Sequence, residues 1–220
     1  MRRFAAVLLD VDGTLVESND AHAHAWVEAL AAHDIEVPYA RVRSLIGMGG
    51  SLLIAAVGGP EPGSKQSEKI GEERSEIFRE RWLRHVRPLP GARDLVLRLK
   101  SEGYHVAIAS AAKEEELAPL LELADLTDLA PIQTTSDDVD RPKPHPDIVD
   151  AALARVPAER HRTVMIGDTP YDVMACRAAN VAIIGMTTGG WSTEALAGSI
   201  AVYNGPADLL ARWRDSPLAG

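Results

Sequence analysis

The chain has 220 residues, 46% of them hydrophobic, and 32 acidic against 23 basic side chains give a net charge of −9. This length and apolar content suffice for a packed core, and an acidic chain without a Lys/Arg block argues against a nucleic-acid partner. Apolar runs such as 7–9 and 181–186 are strand-sized, whereas a membrane span needs roughly 20 apolar residues. The single cysteine, Cys176, excludes an internal disulfide and favours a reducing cytoplasm.

Short apolar runs alternate with helical patterns along most of the chain. The runs predict buried strands at 4–9, 104–109, 131–134, 163–167 and 182–185, and a last strand near 201–203. Helical patterns cover 92–102, 114–124, 146–154, 172–180 and 206–213. This alternation predicts an α/β fold, a Rossmann-like parallel sheet with helices on both faces.

Residues 17–87 break the alternation, because they show helical periodicity and no convincing strand. An Ala-rich helix is predicted over 18–33, and apolar residues recur at helical spacing between 70 and 86. Glycine-rich stretches at 47–50 and 58–63 are predicted to be loops. We therefore predict an inserted all-α cap domain over 17–87, and an α/β catalytic core made of 1–16 and 88–220.

Two carboxylates, Asp10 and Asp12, directly follow the first predicted strand. Residues i and i+2 of a strand point to the same face, so the two side chains repel unless a cation, a proton or a bend relieves them. Gly13 permits such a bend. The structural alternative is an Asp-Gly turn after an edge strand.

Polar residues also follow the other strands, at the edge where an open parallel sheet binds its ligands. They are Ser110, Lys143 in a proline-flanked loop, and Asp168 with Asp172. Asp10, Asp168 and a backbone carbonyl suit one Mg²⁺ ion, while Ser110 and Lys143 suit phosphate oxygens. Each also has a structural alternative: Ser110 as a helix cap, Lys143 as a solvated loop lysine, and the acids as charges at a helix N-terminus.

Four motifs together resemble the haloacid dehalogenase superfamily, specifically its phosphatase branch with a helical cap. They are Asp-Val-Asp-Gly-Thr-Leu at 10–15, the serine of Ala-Ser-Ala at 109–111, Lys-Pro-His-Pro-Asp at 143–147, and Gly-Asp-Thr-Pro-Tyr-Asp at 167–172. The resemblance implies a Mg²⁺-dependent phosphatase of small phosphate monoesters. Members that break carbon–halogen bonds generally lack the second acid of the first motif, so Asp12 favours phosphate esters.

The resemblance also implies a role for each site residue. Asp10 attacks phosphorus to form an aspartyl phosphate, and Asp12 protonates the leaving alcohol and then deprotonates the hydrolytic water. Mg²⁺ is held by the Asp10 side chain, the Asp12 carbonyl and Asp168, with Asp172 as a neighbouring partner of the metal site. The substrate phosphate is bound by Ser110, Lys143, Gly13, Thr14 and Ala111.

The predicted cap supplies candidate substrate contacts. Residues 21–26 resemble the first cap helix of β-phosphoglucomutase-like members, which makes His22 a candidate, although it also suits an ordinary helix position. Arg43 precedes a glycine-rich loop and is a second candidate, with a surface charge as the alternative. Residues 45–50 and 189–191 instead resemble phosphoglycolate-phosphatase-type proteins, so the substrate stays open.

Two alternative functions follow from the same residues. A phosphomutase of the β-phosphoglucomutase type would use the same phosphoaspartate, whereas a phosphate-binding regulatory module without turnover would have no need of Asp12. In every case we expect a small phosphorylated metabolite as the partner. We expect no nucleic acid, no membrane, and a cytoplasmic monomer or homodimer.

Overall fold

The computed structural model describes residues 2–220 and divides them into two compact units. The first, the core unit, comprises residues 2–17 and 87–220, and the second, the helical unit, comprises residues 18–86. The predicted boundaries each lie one residue away from these. Among the residues described, no helix has the length and apolar character needed to cross a membrane.

The core unit is built on a sheet of six parallel strands, β1 (Ala6–Leu9), β4 (His105–Ala109), β5 (Gln133–Thr134), β6 (Thr163–Gly167), β7 (Ala182–Met186) and β8 (Ala201–Tyr203). Their order in the sheet is β5-β4-β1-β6-β7-β8. Its helices are α5 (Ala92–Ser101), α6 (Glu114–Leu123), α7 (Asp147–Ala154), α8 (Pro170–Ala178) and α9 (Pro206–Ala211). The predicted Rossmann-like α/β fold is confirmed.

The middle of the sheet is apolar throughout. Every residue of β1 is fully buried, as are Val164, Met165 and Ile166 of the neighbouring β6. Strands covered on both faces read as continuous apolar runs rather than alternating ones. This is why both strands were predicted from the sequence.

Element ends differ from prediction where turn chemistry decides them. Helix α8 begins at Pro170, two residues earlier than predicted, because Thr169 caps it. Strand β5 contains only Gln133 and Thr134 of the predicted 131–134. Pro131 has no N–H to donate to a ladder, which removes the first predicted residue from pairing.

Two short strands at the junctions with the helical unit were not predicted. Strand β2 (Val16–Glu17) pairs antiparallel with β3 (Arg87–Pro88), with Val16 opposite Pro88 and Glu17 opposite Arg87. The expectation of no strand over 17–87 is therefore wrong at its two ends. Two residues are too few for a periodic signal, yet the pair holds the outgoing and returning chain side by side.

The helical unit contains α1 (Asn19–Ala31), α2 (Tyr39–Arg43), α3 (Gly50–Ala56) and α4 (Lys65–Ile77), followed by a π-helical turn (Phe78–Trp82) and a 3-10 turn (Leu83–His85). Trp26, Leu30, Leu53, Ile54 and Ile70 form the centre of its own apolar core. Gly50, placed in a loop by the sequence, is the first residue of α3. Its lack of a side chain matters, because a Cβ there would lie 2.7 Å from the Trp26 ring.

Candidate active site

The segment after β1 forms a tight turn that presents Asp10. The Asp10 N–H donates to the Ile166 carbonyl of β6 at 3.0 Å, so the sheet ladder continues one residue beyond the strand. Gly13 has φ of +72°, and its N–H donates to the Val16 carbonyl at 2.8 Å. The predicted bend at Gly13 is confirmed, and it uses a backbone conformation that glycine adopts without strain.

Asp172 is fixed by a cap at the start of α8. The Thr169 hydroxyl accepts from the Asp172 N–H at 3.2 Å. In return, Asp172 Oδ2 accepts from the Thr169 N–H at 3.0 Å and from the Thr169 hydroxyl at 2.7 Å. This reciprocal cap satisfies helix donors that would otherwise be unpaired. The alternative of Asp172 as a charge at a helix N-terminus is thus correct for its Oδ2.

The other oxygen of Asp172 faces a buried lysine. Lys143 is 2% exposed, and its Nζ lies 2.6 Å from Asp172 Oδ1 and 2.7 Å from Asp10 Oδ1. A forked ion pair between Arg141 and Asp147, at 2.8 and 3.1 Å, ties the loop before α7 on both sides of Lys143. Lys143 is therefore held inside the site and is not a solvated loop lysine.

Three carboxylates meet in this site. Asp10, Asp168 and Asp172 are buried and offer oxygens within 4.8 Å of one another. Burial raises the pKa of Asp10 to about 7, and the negative charges of Asp172 and Asp12 add to this effect while Lys143 opposes it. Three clustered acids with one ammonium group leave excess negative charge, and hard divalent cations prefer such oxygen ligands. The residues present fit a Mg²⁺ ion.

The pKa of Lys143 is raised by the same cluster. Burial alone would lower it, but the charges and hydrogen bonds of Asp10 and Asp172 outweigh that effect. Lys143 therefore stays protonated at neutral pH. The site contains one fixed positive charge beside the candidate nucleophile.

The remaining predicted phosphate contacts lie in two places. The Thr14 hydroxyl lies 3.4 Å from Asp10 Oδ2 and 3.3 Å from Asp168 Oδ1, so it faces the carboxylates. Ser110 is fully buried after β4, and its hydroxyl accepts from the Ala112 N–H at 3.0 Å. That bond closes a local turn ahead of α6, whose N-cap is Lys113, so the alternative of Ser110 as a helix cap is wrong. It leaves the Ser110 proton available for a ligand oxygen. Asp12 and Ala111 are half-buried.

The two candidates of the helical unit have partners within that unit. His22 is buried and stacks on Phe78 with ring centroids 4.0 Å apart, and its Nδ1 lies 3.4 Å from Arg74 Nη1. Arg43 donates through Nε to Asp20 Oδ1 at 2.6 Å. Both side chains have structural roles, and their contact with a substrate stays a prediction.

Comparison with known proteins identifies the family. Residues 7–186 match the model described as "Haloacid dehalogenase-like hydrolase". The chain belongs to this family. The match covers both the Asp10 turn and the start of α8, so the resemblance drawn from the four motifs is confirmed.

Relatives of this hydrolase include named phosphatases. A "Probable phosphatase IndB" of Dickeya dadantii is 31% identical over 195 residues, covering 86% of this chain and 84% of the relative. A "Phosphoglycolate phosphatase" of Rhodospirillum rubrum is 29% identical, covering 98% and 92%. The fold is similar to that in the crystal structure of a hydrolase from Pseudomonas syringae, with a TM-score of 0.85 and 30% sequence identity. The match covers 96% of this chain and 98% of that hydrolase. The chain is an enzyme of the phosphatase branch.

Thr169 is a site residue of this haloacid dehalogenase-like hydrolase that sequence reasoning missed. It contacts Asp172 three times, as described above, and so orients the carboxylate that holds Lys143. The signal was present, since a Thr followed three residues later by an acid is typical of a helix start.

Proposed function

We propose that this enzyme is a Mg²⁺-dependent phosphatase that hydrolyses small phosphate monoesters through an aspartyl phosphate on Asp10. One observation carries the proposal: a buried lysine contacts a buried aspartate at the carboxyl end of the central strand, beside two further buried acids. Family membership and the named phosphatase relatives support the same reaction class.

Asp10 is the nucleophile in this proposal. One of its oxygens attacks phosphorus and forms the aspartyl phosphate, and the ester bond to the leaving alcohol breaks. Held by the Asp10 side chain, the Asp12 carbonyl and Asp168, Mg²⁺ would keep Asp10 ionised and offset charge on the phosphoryl group. Lys143, with the Ser110 hydroxyl, binds the phosphoryl oxygens that do not react.

Asp12 moves the protons. It donates one to the alkoxide oxygen as the ester bond breaks, and its carboxylate then accepts one from the water that attacks the aspartyl phosphate. Inorganic phosphate leaves, and Asp10 is regenerated. A half-buried position suits this residue, because it must meet first the leaving group and then a water molecule.

Asp172 is assigned to positioning rather than to direct metal binding. Its Oδ2 takes part in the cap with Thr169, and its Oδ1 lies 2.6 Å from Lys143. With both oxygens engaged, it fixes the lysine against Asp10. Thr14 and the turn at Gly13 likewise position the segment that carries Asp10. Ala111 follows Ser110, so its backbone lies next to the proposed phosphate contact.

The substrate class is proposed from two resemblances, of 21–26 to β-phosphoglucomutase-like members and of 45–50 and 189–191 to phosphoglycolate-phosphatase-type proteins. We expect phosphoglycolate-sized compounds or monosaccharide phosphates, and a cytoplasmic monomer or homodimer that requires neither nucleic acid nor a membrane. The phosphomutase alternative shares every step up to the aspartyl phosphate. It differs in passing the phosphoryl group to a sugar hydroxyl instead of water.

Turnover of an aryl phosphate, with and without excess chelator, tests the proposal. We expect release of inorganic phosphate that stops on chelation and returns with added Mg²⁺. Acid quenching during turnover, followed by peptide mapping, should place one phosphoryl group on the peptide containing Asp10. A phosphorylated isomer of a sugar phosphate as the main product would favour the mutase, and full activity in chelator would exclude the proposed role of Mg²⁺.

A further inference from the structure

A loop outside the four motifs contacts both halves of the acidic cluster. It comprises residues 187–190, here called the β7 loop, and follows directly after strand β7. In the sheet order β1-β6-β7, strand β6 separates β7 from β1. The β7 loop must therefore cross the carboxyl end of β6 to reach the segment that follows β1.

Thr188 makes that crossing contact. Its hydroxyl donates to the Gly13 carbonyl at 2.5 Å, a short hydrogen bond between residues far apart in the chain. Gly13 sits at the bend after Asp12, where φ is +72°. Fixing its carbonyl fixes the peptide plane between Gly13 and Thr14 and so restrains the turn that presents Asp10.

The next residue, Gly189, lies against Asp168. A side chain at Gly189 would overlap Oδ2 of Asp168, and its Cβ would lie 2.8 Å from the Asp168 Cγ. Both Gly189 and Asp168 are buried, so neither has free space to move into. The carboxylate of Asp168 can hold its position only because residue 189 has no side chain.

We propose that Thr188 and Gly189 are positioning residues that set the spacing between the Asp10–Gly13 turn and Asp168, and through it the affinity for the divalent cation. The inference rests on the proposed function, since it deepens the assignment of that metal site. Groups that orient metal ligands typically contribute tenfold to a hundredfold in metal affinity. Neither residue touches the reacting atoms in this proposal.

The chain offers a matched control in the same loop. Thr187 precedes Thr188, and its hydroxyl lies 3.3 Å from Oδ1 of Asn204, which is not a member of the acidic cluster. Thr187→Val and Thr188→Val remove the same group from adjacent residues. Thr188→Ser keeps the hydroxyl and serves as the conservative rescue, and Gly189→Ala adds the side chain that Asp168 excludes.

The first measurement is Mg²⁺ binding without substrate, by calorimetric titration of wild type and the four variants, each first shown to be folded by circular dichroism. We expect Thr188→Val to weaken binding by about tenfold or more, with Thr188→Ser and Thr187→Val within about threefold of wild type. Gly189→Ala should weaken it further. The Mg²⁺ concentration for half-maximal activity on an aryl phosphate should rise in parallel, with kcat largely recovered at saturating Mg²⁺ for Thr188→Val.

Two outcomes overturn the proposal. Equal Mg²⁺ binding in Thr188→Val, Thr187→Val and wild type would exclude positioning by Thr188, whether or not Gly189→Ala folds. Loss of kcat in Thr188→Val without any change in Mg²⁺ affinity would assign it another role. If wild type binds Mg²⁺ without hydrolysing phosphate esters and Thr188→Val weakens that binding, the positioning role stands while the proposed function fails.

Discussion

Lys143 Nζ lies 2.7 Å from Asp10 Oδ1, although 133 residues separate the two in the chain, and both side chains are almost fully buried. Removing one partner of such a buried pair typically costs about 3–5 kcal/mol, because the other charge is left uncompensated. Here Asp172 also contacts Lys143. A substitution at Asp10 therefore leaves the lysine with a carboxylate partner, which separates the chemistry of Asp10 from the stability of the fold.

Asp10→Asn should abolish turnover while the protein stays folded. The amide keeps the shape and accepts a hydrogen bond from Lys143, but it is not an anionic nucleophile. Loss of the nucleophile in covalent catalysis costs several powers of ten in rate. Steady-state rates on an aryl phosphate and thermal melting curves check this, with the exposed Asp128→Asn as the control. Activity of Asp10→Asn within tenfold of wild type would show that the nucleophile is wrongly assigned.

Asp12→Asn should show a loss that depends on the leaving group. The substitution removes proton transfer, which contributes roughly 10² to 10⁴ in rate, and leaves the attacking carboxylate in place. An aryl phosphate has a leaving group that needs little protonation, so its phosphorylation step should suffer much less than that of an alkyl phosphate. Pre-steady-state kinetics on both substrates provide the comparison. Equal losses on the two would argue against a general acid at Asp12.

How far the sequence predicts this site depends on the range of the contacts. Asp10 and Asp168 follow adjacent strands that are recognisable as continuous apolar runs, and the parallel topology brings the ends of these strands together. The β2 and β3 strands were missed because two-residue strands leave no periodic pattern. The contact of Thr188 with Gly13 links two loops across an intervening strand. The sequence of neither loop contains a signal for that pairing.

The helical unit shows the same limit. The sequence placed His22 and Arg43 on helices, but the stack of His22 on Phe78 and the pairing of Arg43 with Asp20 depend on how helices pack. Amphipathic periodicity gives the buried face of a helix and not its partner. The substrate contacts proposed for this unit therefore remain predictions. The motif residues of the core unit could be placed together, because parallel strands end at the same edge of the sheet.

Ca²⁺ should bind at the acidic cluster and fail to support turnover. It accepts more ligands at longer distances than Mg²⁺, so it would misplace Asp10 relative to phosphorus. In the presence of Mg²⁺, added Ca²⁺ should inhibit competitively with respect to the metal. Activity titrations at several fixed Mg²⁺ concentrations measure this. Activity with Ca²⁺ equal to that with Mg²⁺ would contradict the tight geometry expected of the site.

Cys176 should be unreactive in the native protein and report on unfolding of the core unit. The thiol is fully buried, with its Sγ 3.3 Å from Met165 Sδ, and burial raises its pKa well above the ordinary value, with Asp172 adding to the shift. The thiolate is the reactive form. Alkylation at pH 8, followed by mass spectrometry, should be negligible without denaturant and rapid in urea. Rapid labelling of the native protein would contradict this packing.

The helical unit offers a matched pair of arginines for testing substrate contacts. Arg43 and Arg81 each form an ion pair at 2.6 Å with an acid of the same unit, Asp20 and Glu28. Exposed pairs of this kind contribute about 0–1 kcal/mol, so alanine at either position should change stability little. If Arg43 meets the substrate, Arg43→Ala should raise KM or lower kcat for the best small metabolite more than for an aryl phosphate. Arg81→Ala should change KM and kcat no more for the metabolite than for the aryl phosphate.

His22→Ala should combine two effects that the same assays separate. Losing the stack on Phe78 removes an aromatic contact worth about 0.5–1.5 kcal/mol. This loss lowers the melting temperature whatever the substrate. A substrate contact would add a selective loss for the metabolite. His22→Phe keeps a stacking ring without a polar atom, so it should restore stability but not the metabolite-specific rate. In the contrary outcome, His22→Phe restores both the melting temperature and the rate on the metabolite, and Arg43→Ala loses the same activity on both substrates. These two results together would show that His22 and Arg43 serve only the packing of the helical unit.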